Sequence, residues 1–474
     1  MQLIDRIYLD GAFVVPHGEE YFDLFNPATE QCIGRVCLAD EHDVDTAVAA
    51  AKRAFVSFSQ TSPGERYDML QSLLSAFEAR EDELTEASIE EFGAPALAAR
   101  RFHAKGAAAM VAHTARALRD YAFRRRVGAN EVVMQPLGVA GLITPWNGNA
   151  IFTAAKLSAA LAAGCTAVLK PSEMSAIQTR IASEAVHAAG LPAGVVNIVT
   201  GRGEVAGAAL SAHPDIAKIS FTGSTTVGKT ILRSGADTFK RTTLELGGKS
   251  PFIILDDADL DVVAPLAVQA GFANSGQACN AGTRILIDER RLAEFEQRMI
   301  AIVAQSKPGH PREPGTTIGP MVSEKQWQRV QRYIRLGLEE GARLLIGGEG
   351  RPEGIVSGWF VKPTVFSSVR NDMTIAREEI FGPVLSIISY RDVEEAVALA
   401  NDTRYGLQAY VMSASDARAQ VVAMRIEAGR VMVNGLHSNF ELPFGGFKQS
   451  GIGREFGSAG IEAYLEPKTL LNAS

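Results

Sequence analysis

Short segments of this chain set reactive side chains beside glycines, prolines or strand ends, where a fold can expose them. Cys279 lies in Phe272-Ala-Asn-Ser-Gly-Gln-Ala-Cys-Asn-Ala-Gly-Thr-Arg284, framed by Gly276, Gln277 and Gly282 between a helical pattern and a strand pattern. A lone Cys is most often a small buried apolar residue. In a Gly- and Asn-rich loop it suits nucleophilic attack instead, because loops on rigid scaffolds carry reactive groups. Glu245 stands in Leu244-Glu-Leu-Gly-Gly-Lys249. Such an acid can simply be the exposed side of a strand, but the glycines after it permit close approach of a ligand. In Thr144-Pro-Trp-Asn147, the Asn147 amide has the chemistry to donate to a developing oxyanion; taken alone it is equally a turn Asn.

Two more segments suit a nucleotide. Phe221-Thr-Gly-Ser-Thr-Thr-Val-Gly228 puts Gly223 and Gly228 at a strand-to-helix junction, where α/β sheets bind phosphate. A plain Gly-rich turn is the alternative, since this is not the G-x-G-x-x-G pattern. Lys170-Pro-Ser-Glu173 follows the apolar run Ala167–Leu169, so its Lys and acid could grip ribose hydroxyls at the sheet edge. Lys170 could also just emerge at the strand end.

The elements that must position these residues follow from periodicity. Ile7–Val15 reads as two strands around an Asp-Gly turn, and Asn26–Glu30 as a turn before a strand at Ile33–Val36. Asp43 is a plausible cap for a helix carrying Val44, Ala47, Val48, Ala51 and Phe55. Helix resumes after Ser62-Pro-Gly-Glu-Arg66 and again from Glu81 to about Tyr121. From Glu131 strands and helices alternate: Val139–Thr144, Ala150–Ala163, Ala167–Lys170, Ile177–Ala188, Val195–Val199, Val205–Leu210 and Lys218–Phe221. That alternation predicts a parallel sheet with crossover helices. It restarts at Phe252–Leu255, Val263–Phe272 and Arg284–Ile287, predicting a second α/β unit from about residue 248. Tyr464–Leu471 reads as an isolated edge strand that pairs with another part of the chain or with another subunit, and Arg124–Arg126 as a solvated or interface face.

The 474 residues carry 47 Lys+Arg against 54 Asp+Glu, a net charge of −7, with 46% hydrophobic and 21% charged residues. This excludes a disordered or collagenous chain and argues against a nucleic-acid partner. The four cysteines, Cys32, Cys37, Cys165 and Cys279, are too few for a disulfide framework. Cys32 and Cys37 read as buried thiols, with no ligand cluster to complete a metal site. Met1–Asp10 lacks a signal-peptide pattern. Leu157–Leu169 is too short to span a bilayer. The expectation is a cytoplasmic protein with no membrane partner.

Taken together, Asn26-Pro-Ala-Thr, Pro-Trp-Asn, Lys-Pro-Ser-Glu, Phe-Thr-Gly-Ser-Thr, Glu-Leu-Gly-Gly-Lys, Gly-Gln-x-Cys, Glu379-Ile-Phe-Gly-Pro383 and Pro443–Glu455 resemble the NAD(P)-dependent aldehyde dehydrogenase superfamily, in order and spacing, over nearly the full length. The resemblance implies that Cys279 is the nucleophile, that the Asn147 amide and the Cys279 N–H hold the oxyanion, and that Glu245 activates water to hydrolyse a thioester. It implies cofactor contacts from Thr144, Pro145, Trp146, Lys170, Ser172, Glu173, Gly203, Gly207, Phe221, Thr222, Gly223, Ser224, Val227, Leu246, Gly247, Glu379 and Phe381. An acid at Glu173 favours NAD by repelling a 2′-phosphate, although a Glu that swings away would admit NADP. No metal is implied.

The implied fold is α/β. Residues 1–118 and 137–247 would form a Rossmann-like NAD-binding domain and 248–454 a catalytic domain. Residues 119–136 and 455–474 would form a small β oligomerisation element, implying a homodimer or homotetramer. Gly148-Asn149 departs from the aromatic-then-Pro that many members carry. With Ile151, Ala278, Asn280, His437, Phe440 and Phe444, and with Asn439 on the closing loop, Gly148 implies a wide, partly polar pocket for a bulky or aromatic aldehyde. A CoA-acylating enzyme, a non-catalytic binding protein and a thiol esterase are the rivals. Glu245 argues against the first, and the joint presence of Cys279, Asn147 and Glu245 against the second. Turnover without NAD would mark the third.

Overall fold

The computed structural model describes residues 2–472; residues 1 and 473–474 of the expected outer ranges lie outside the described residues. The architecture is the expected α/β one, organised on two large sheets. The first runs, in spatial order, Gly451–Ile452, Arg241–Glu245, Ile216–Thr222, Val139–Ile143, Thr166–Lys170, Val196–Ile198, Ile7–Leu9, Ala12–Val14. The strands from Arg241–Glu245 through Val196–Ile198 are mutually parallel. All five are largely buried, and Val139–Ile143, Thr166–Lys170, Val196–Ile198 and Ile216–Thr222 are mostly apolar, as strands covered on both faces must be. Sequence order reverses between Val139–Ile143 and Ile216–Thr222, which creates a crevice at the carboxyl ends of the strands.

The second sheet runs Arg343–Ile346, Thr364–Ser367, Val384–Tyr390, Arg284–Asp288, Pro251–Ile254, Gln408–Met412, Arg430–Val433. It is parallel except at Arg343–Ile346. The short strand Gly451–Ile452 returns from this half of the chain to pair antiparallel with Leu244 and Glu245, which stitches the two halves beside the acid. Leu465–Leu470 pairs antiparallel with Asn130–Pro136, which pairs with Arg124–Val127. The orphan C-terminal strand therefore finds its partner within the chain, and the Arg124–Val127 strand is exposed throughout. No helix among the described residues is long and apolar enough to cross a membrane.

Some local expectations need correction. Asp40, not Asp43, caps the helix Glu41–Phe58: its side chain accepts from the His42 and Asp43 N–H groups, while Asp43 accepts from the Asp40 N–H. The two acids form a reciprocal capping box, so both are cap residues and the helix starts earlier. The stretch from Glu81 to Tyr121 is not one helix. Gly93 is left-handed (φ 78°) and Pro95 lacks an N–H, so the chain breaks between Glu81–Phe92 and Ala96–Asp120, with widened π turns at Ser88–Phe92 and Ala99–Ala104. The expected helix at Val205–Leu210 instead opens as a π turn at Gly203–Gly207 and continues as helix Ala208–Ala212. Cys37 is buried as expected, but Cys32, at the start of strand Cys32–Cys37, is exposed; side chains alternate between the two faces of a strand, and positions 32 and 37 fall on opposite ones.

Candidate active site

The crevice at the chain reversal holds a cavity of about 540 Å³ lined by Asn147, Glu245 and Cys279 together. Each arrives from a different element. Strand Val139–Ile143 ends at Pro145, which cannot continue the ladder. Thr144 is pinned there by its N–H to the Lys170 carbonyl (3.2 Å) and by Asn149 Nδ2 donating to its Oγ1 (3.4 Å). Glu245 closes strand Arg241–Glu245 and is buried. Cys279 follows helix Leu260–Gly271 through Asn274, Ser275 and Gly276, all left-handed (φ 54°, 59° and 77°). At Gly276 a Cβ would lie 2.2 Å from the Gly382 carbonyl, so this reversal requires glycine. The loop is then clamped: Gln277 donates to the Pro320 carbonyl (3.2 Å) and accepts from the Val322 N–H (2.9 Å), and Ser275 Oγ accepts from the Gly319 N–H (2.8 Å).

The electrostatics of the three groups differ. Asn147 Nδ2 spends one N–H on the Gln277 carbonyl (2.9 Å) and makes no second bond among the described residues. Both Glu245 carboxylate oxygens are buried without a hydrogen-bond partner. Burial first, and then the charge of Glu455, hold its carboxyl well above the ordinary range. Burial, helped by Glu379 and Glu245, pushes the Cys279 thiol up to about 12. Glu379 accepts from the Gly248 N–H (3.0 Å), and burial pushes its carboxyl up to about 7.

The site residues expected from sequence divide into two groups. Pro145, Trp146, Thr222, Gly223, Ser224, Leu246, Gly247, Glu379 and Phe381 line the same cavity as the reactive three. Trp146 meets Phe381 edge-on (5.4 Å). Thr222 Oγ1 is buried without a partner, and Ser224 caps helix Thr225–Gly235 by accepting from the Val227 N–H. Thr144, Lys170, Ser172, Glu173, Gly203, Gly207, Phe221 and Val227 are not among the cavity-lining residues. Lys170 does not simply emerge at the strand end: it is buried and paired with Glu173 (3.3 Å). A Cβ on Gly207 would lie 3.7 Å from the Lys170 side chain. Phe221 lies under Gly223, Ser172 accepts from the Met174 N–H, and Val227 is exposed.

None of Gly148, Ile151, Ala278, Asn280, His437, Phe440 and Phe444 lines this cavity. Phe440 lies edge-on to His113 and Phe456, and Phe444 stacks on Phe456. His437 is exposed. The Asn280 carbonyl accepts from Tyr410, and a Cβ on Gly106 would touch the Ile151 side chain. A Cβ on Gly148 would lie 3.0 Å from the Phe152 ring, so Phe152 fills part of the space that the missing side chain leaves.

Sequence reasoning missed a buried charged group beside Glu245. Lys156 pairs with Glu455, and Ser220 Oγ lies 2.9 Å from the Lys156 amine and donates to Glu455 (3.0 Å). The signal was available: a single Lys inside the otherwise apolar run of helix Asn149–Ala163 must find a partner when that helix is buried. Gln326, Arg329 and Tyr333 also line the cavity. Arg329 donates to the Glu379 carbonyl (2.6 Å) and Gln326 to that of Phe381 (2.7 Å). They come from the amphipathic helix Glu324–Glu339, whose pattern alone marks no site.

The model of the aldehyde dehydrogenase family matches residues 13–470. The chain is similar to the structure of a cysteine-to-alanine mutant of aldehyde dehydrogenase C from Pseudomonas syringae, complexed with NAD+ and octanal. The identity is 44% and the TM-score 0.97, covering 98% of this chain and 96% of that one. It is similar to a Mycobacterium tuberculosis aldehyde dehydrogenase complexed with NAD+, at 39% identity and TM-score 0.97, covering 100% and 99%. It is also similar to an NAD+ complex of a Bacillus cereus aldehyde dehydrogenase, at 39% identity and TM-score 0.95, covering 98% and 96%.

Proposed function

The chain belongs to the aldehyde dehydrogenase family, and from that premise we propose that it oxidises an aldehyde to a carboxylic acid with NAD, through a thioester on Cys279. The observation that carries the reading is the meeting of Cys279, Asn147 and the unpartnered Glu245 carboxylate in one cavity. The Cys279 sulfur, half-buried at the cavity wall, adds to the aldehyde carbonyl once its proton is lost to solvent. The unused N–H of Asn147 and the Cys279 N–H stabilise the resulting oxyanion, and one such donor is generally worth about 10²–10³ in kcat. Hydride loss leaves the thioester. Glu245 then takes a proton from water as that water attacks, releasing the acid and the thiol.

The residues present fit a dinucleotide. The cavity opens where strand order reverses, beside the N-terminus of helix Thr225–Gly235, and Thr222, which lines it, has a buried hydroxyl without a partner among the described residues. Lys170 and Glu173 would hold a ribose, Ser224 would lie by the pyrophosphate, and Glu379 and Phe381 would meet the nicotinamide riboside. When bound, NAD supplies the hydride acceptor. Glu173 supports NAD over NADP by charge. Glu245 supports hydrolysis over transfer to CoA. In this reading the sheet containing Arg241–Glu245 belongs to the cofactor domain and residues 248–454 to the catalytic one. The open, exposed strand Arg124–Val127 is a subunit contact of a homodimer or homotetramer. Four cysteines without a disulfide support a reducing, cytoplasmic setting. The test is NADH formation across short, long-chain and aromatic aldehydes, with NAD and with NADP, beside Cys279→Ala. NAD-dependent turnover that the variant lacks supports the reading; parent-level turnover in the variant rejects it.

The substrate reading is a bulky or aromatic aldehyde, supported by Gly148, which brings no side chain into the space beside the Phe152 ring. Gly148→Phe is expected to raise KM severalfold for aromatic aldehydes and to leave that for acetaldehyde within about twofold. Steady-state kinetics on both substrates check this, and an equal rise for acetaldehyde removes the pocket argument.

The charge beside the base gives a pH prediction. Glu455 raises the Glu245 carboxyl, and Lys156 lowers it. Glu245 works deprotonated, so kcat rises with pH through its raised pKa. Glu455→Gln removes the like charge and leaves Lys156 facing Glu245, so the midpoint of that rise should move to lower pH. A kcat–pH profile of both proteins reads the shift, and an upward move would contradict this assignment.

A further inference from the structure

The two loops that carry Asn147 and Cys279 are tied together by one side chain, Asn274. Its Nδ2 donates to the Asn147 carbonyl (2.8 Å) and to the Gln277 carbonyl (3.3 Å). The Gln277 carbonyl also receives the Asn147 amide (2.9 Å). Because both Nδ2 hydrogens are spent on carbonyls, Asn274 Oδ1 is fixed as an acceptor. It faces His103 Nε2 at 3.1 Å. His103 is buried, its ring lies 5.2 Å from that of Phe92, and its Nδ1 has no partner.

We propose, on the reading of Cys279 and Asn147 given above, that His103 is a positioning residue for the reaction: its Nε2–H holds the Asn274 amide in the one orientation that ties the oxyanion loop to the nucleophile loop. The bonding pattern leaves a single proton arrangement. Asn274 Oδ1 needs a donor, so the imidazole carries its hydrogen on Nε2 and leaves Nδ1 as a bare lone pair. A rotated Asn274 amide would face two carbonyls with its own oxygen and release both backbone tethers. Protonation of Nδ1 would bury an unpaired N–H, and burial pushes His103 down to about 4. The tether is therefore unchanged across the neutral pH range.

His103→Leu removes the donor. It should lower kcat about tenfold or more, since small misplacements of reacting groups are costly, with KM for NAD held within about twofold. In the cofactor-free protein, iodoacetamide should alkylate Cys279 at least about threefold faster, read by mass spectrometry, because its loop is released. His103→Gln offers an N–H at a similar reach and should restore both readouts to near the parent. Asn274→Asp keeps the acceptor and loses both donors, so it should behave like His103→Leu, and the double variant should be no worse than either single one. Parent-like kcat and alkylation in His103→Leu overturn the proposal, as does a Gln variant damaged as badly as Leu. If His103→Leu fails to fold, parent-like behaviour of Asn274→Asp overturns it equally. Should the parent oxidise no aldehyde, the proposed reaction fails, while the alkylation contrast still reads the tether.

Discussion

Cys279→Ala is expected to reduce aldehyde-dependent NAD reduction by on the order of 10⁴–10⁶-fold, because a covalent route loses its only bond-forming atom. The loss should be chemical and not structural. The loop around residue 279 is held by Gln277 and Ser275 against residues 319–322, and none of those bonds involves the thiol. Cys279 is half-buried, so removing its sulfur leaves a gap open to the cavity and costs little packing. NAD binding should persist, which quenching of Trp146 in the cavity wall can follow. Stopped-flow and long-time NADH assays at matched cofactor saturation set the size of the effect. Residual turnover above about one per cent of the parent would mean that another group carries the substrate.

Glu245→Gln is expected to separate the two halves of the reaction. The amide matches the carboxylate in shape but accepts no proton from water, so thioester hydrolysis should slow by roughly 10²–10⁴-fold. The first half, which ends in NADH, should lose much less, giving a burst close to one NADH per site and then a slow steady state. Glu245 has no hydrogen-bond partner to lose and its burial raises its pKa, so above that raised pKa neutralising it removes an unpaired buried charge, and the melting temperature there should be equal or higher. Rapid mixing resolves the burst. A steady rate with no burst, reduced in proportion, would mean that Glu245 serves the first half instead, as the acceptor of the thiol proton.

The reactive residues were readable because each sits beside an element-ending residue: Pro145 after Val139–Ile143, the Gly247-Gly248 pair after Glu245, and Gly276 before Cys279. At Gly248 a Cβ would lie 2.3 Å from the Cys279 carbonyl, so the glycine pair after the base exists to let the nucleophile loop approach. The burial of Glu245 was not readable, because it depends on Gly451, which returns from more than 200 residues away to pair with it. Likewise Lys156 announces a need for a partner, but Glu455 is distant in sequence and nothing local names it. Asp40 and Asp43 both have cap chemistry, and only the backbone decides which is the cap and which completes the box. Gly93 and Pro95 could have divided the long helical stretch, whereas the π turns flanking them leave no compositional mark. Of the expected substrate residues, which do not line the cavity, His437, Phe440 and Phe444 belong to the irregular segment from 434 to 444, where periodicity says nothing.

The most direct test of the covalent route is mass spectrometry of Glu245→Gln quenched in acid within the burst, after mixing with NAD and an aldehyde that the parent turns over. The account predicts a mass increase equal to the acyl group of that aldehyde, mapped to the peptide containing Cys279 and removed by hydroxylamine. A full NADH burst with an unmodified Cys279 peptide, or with the acyl group on another residue, would contradict it.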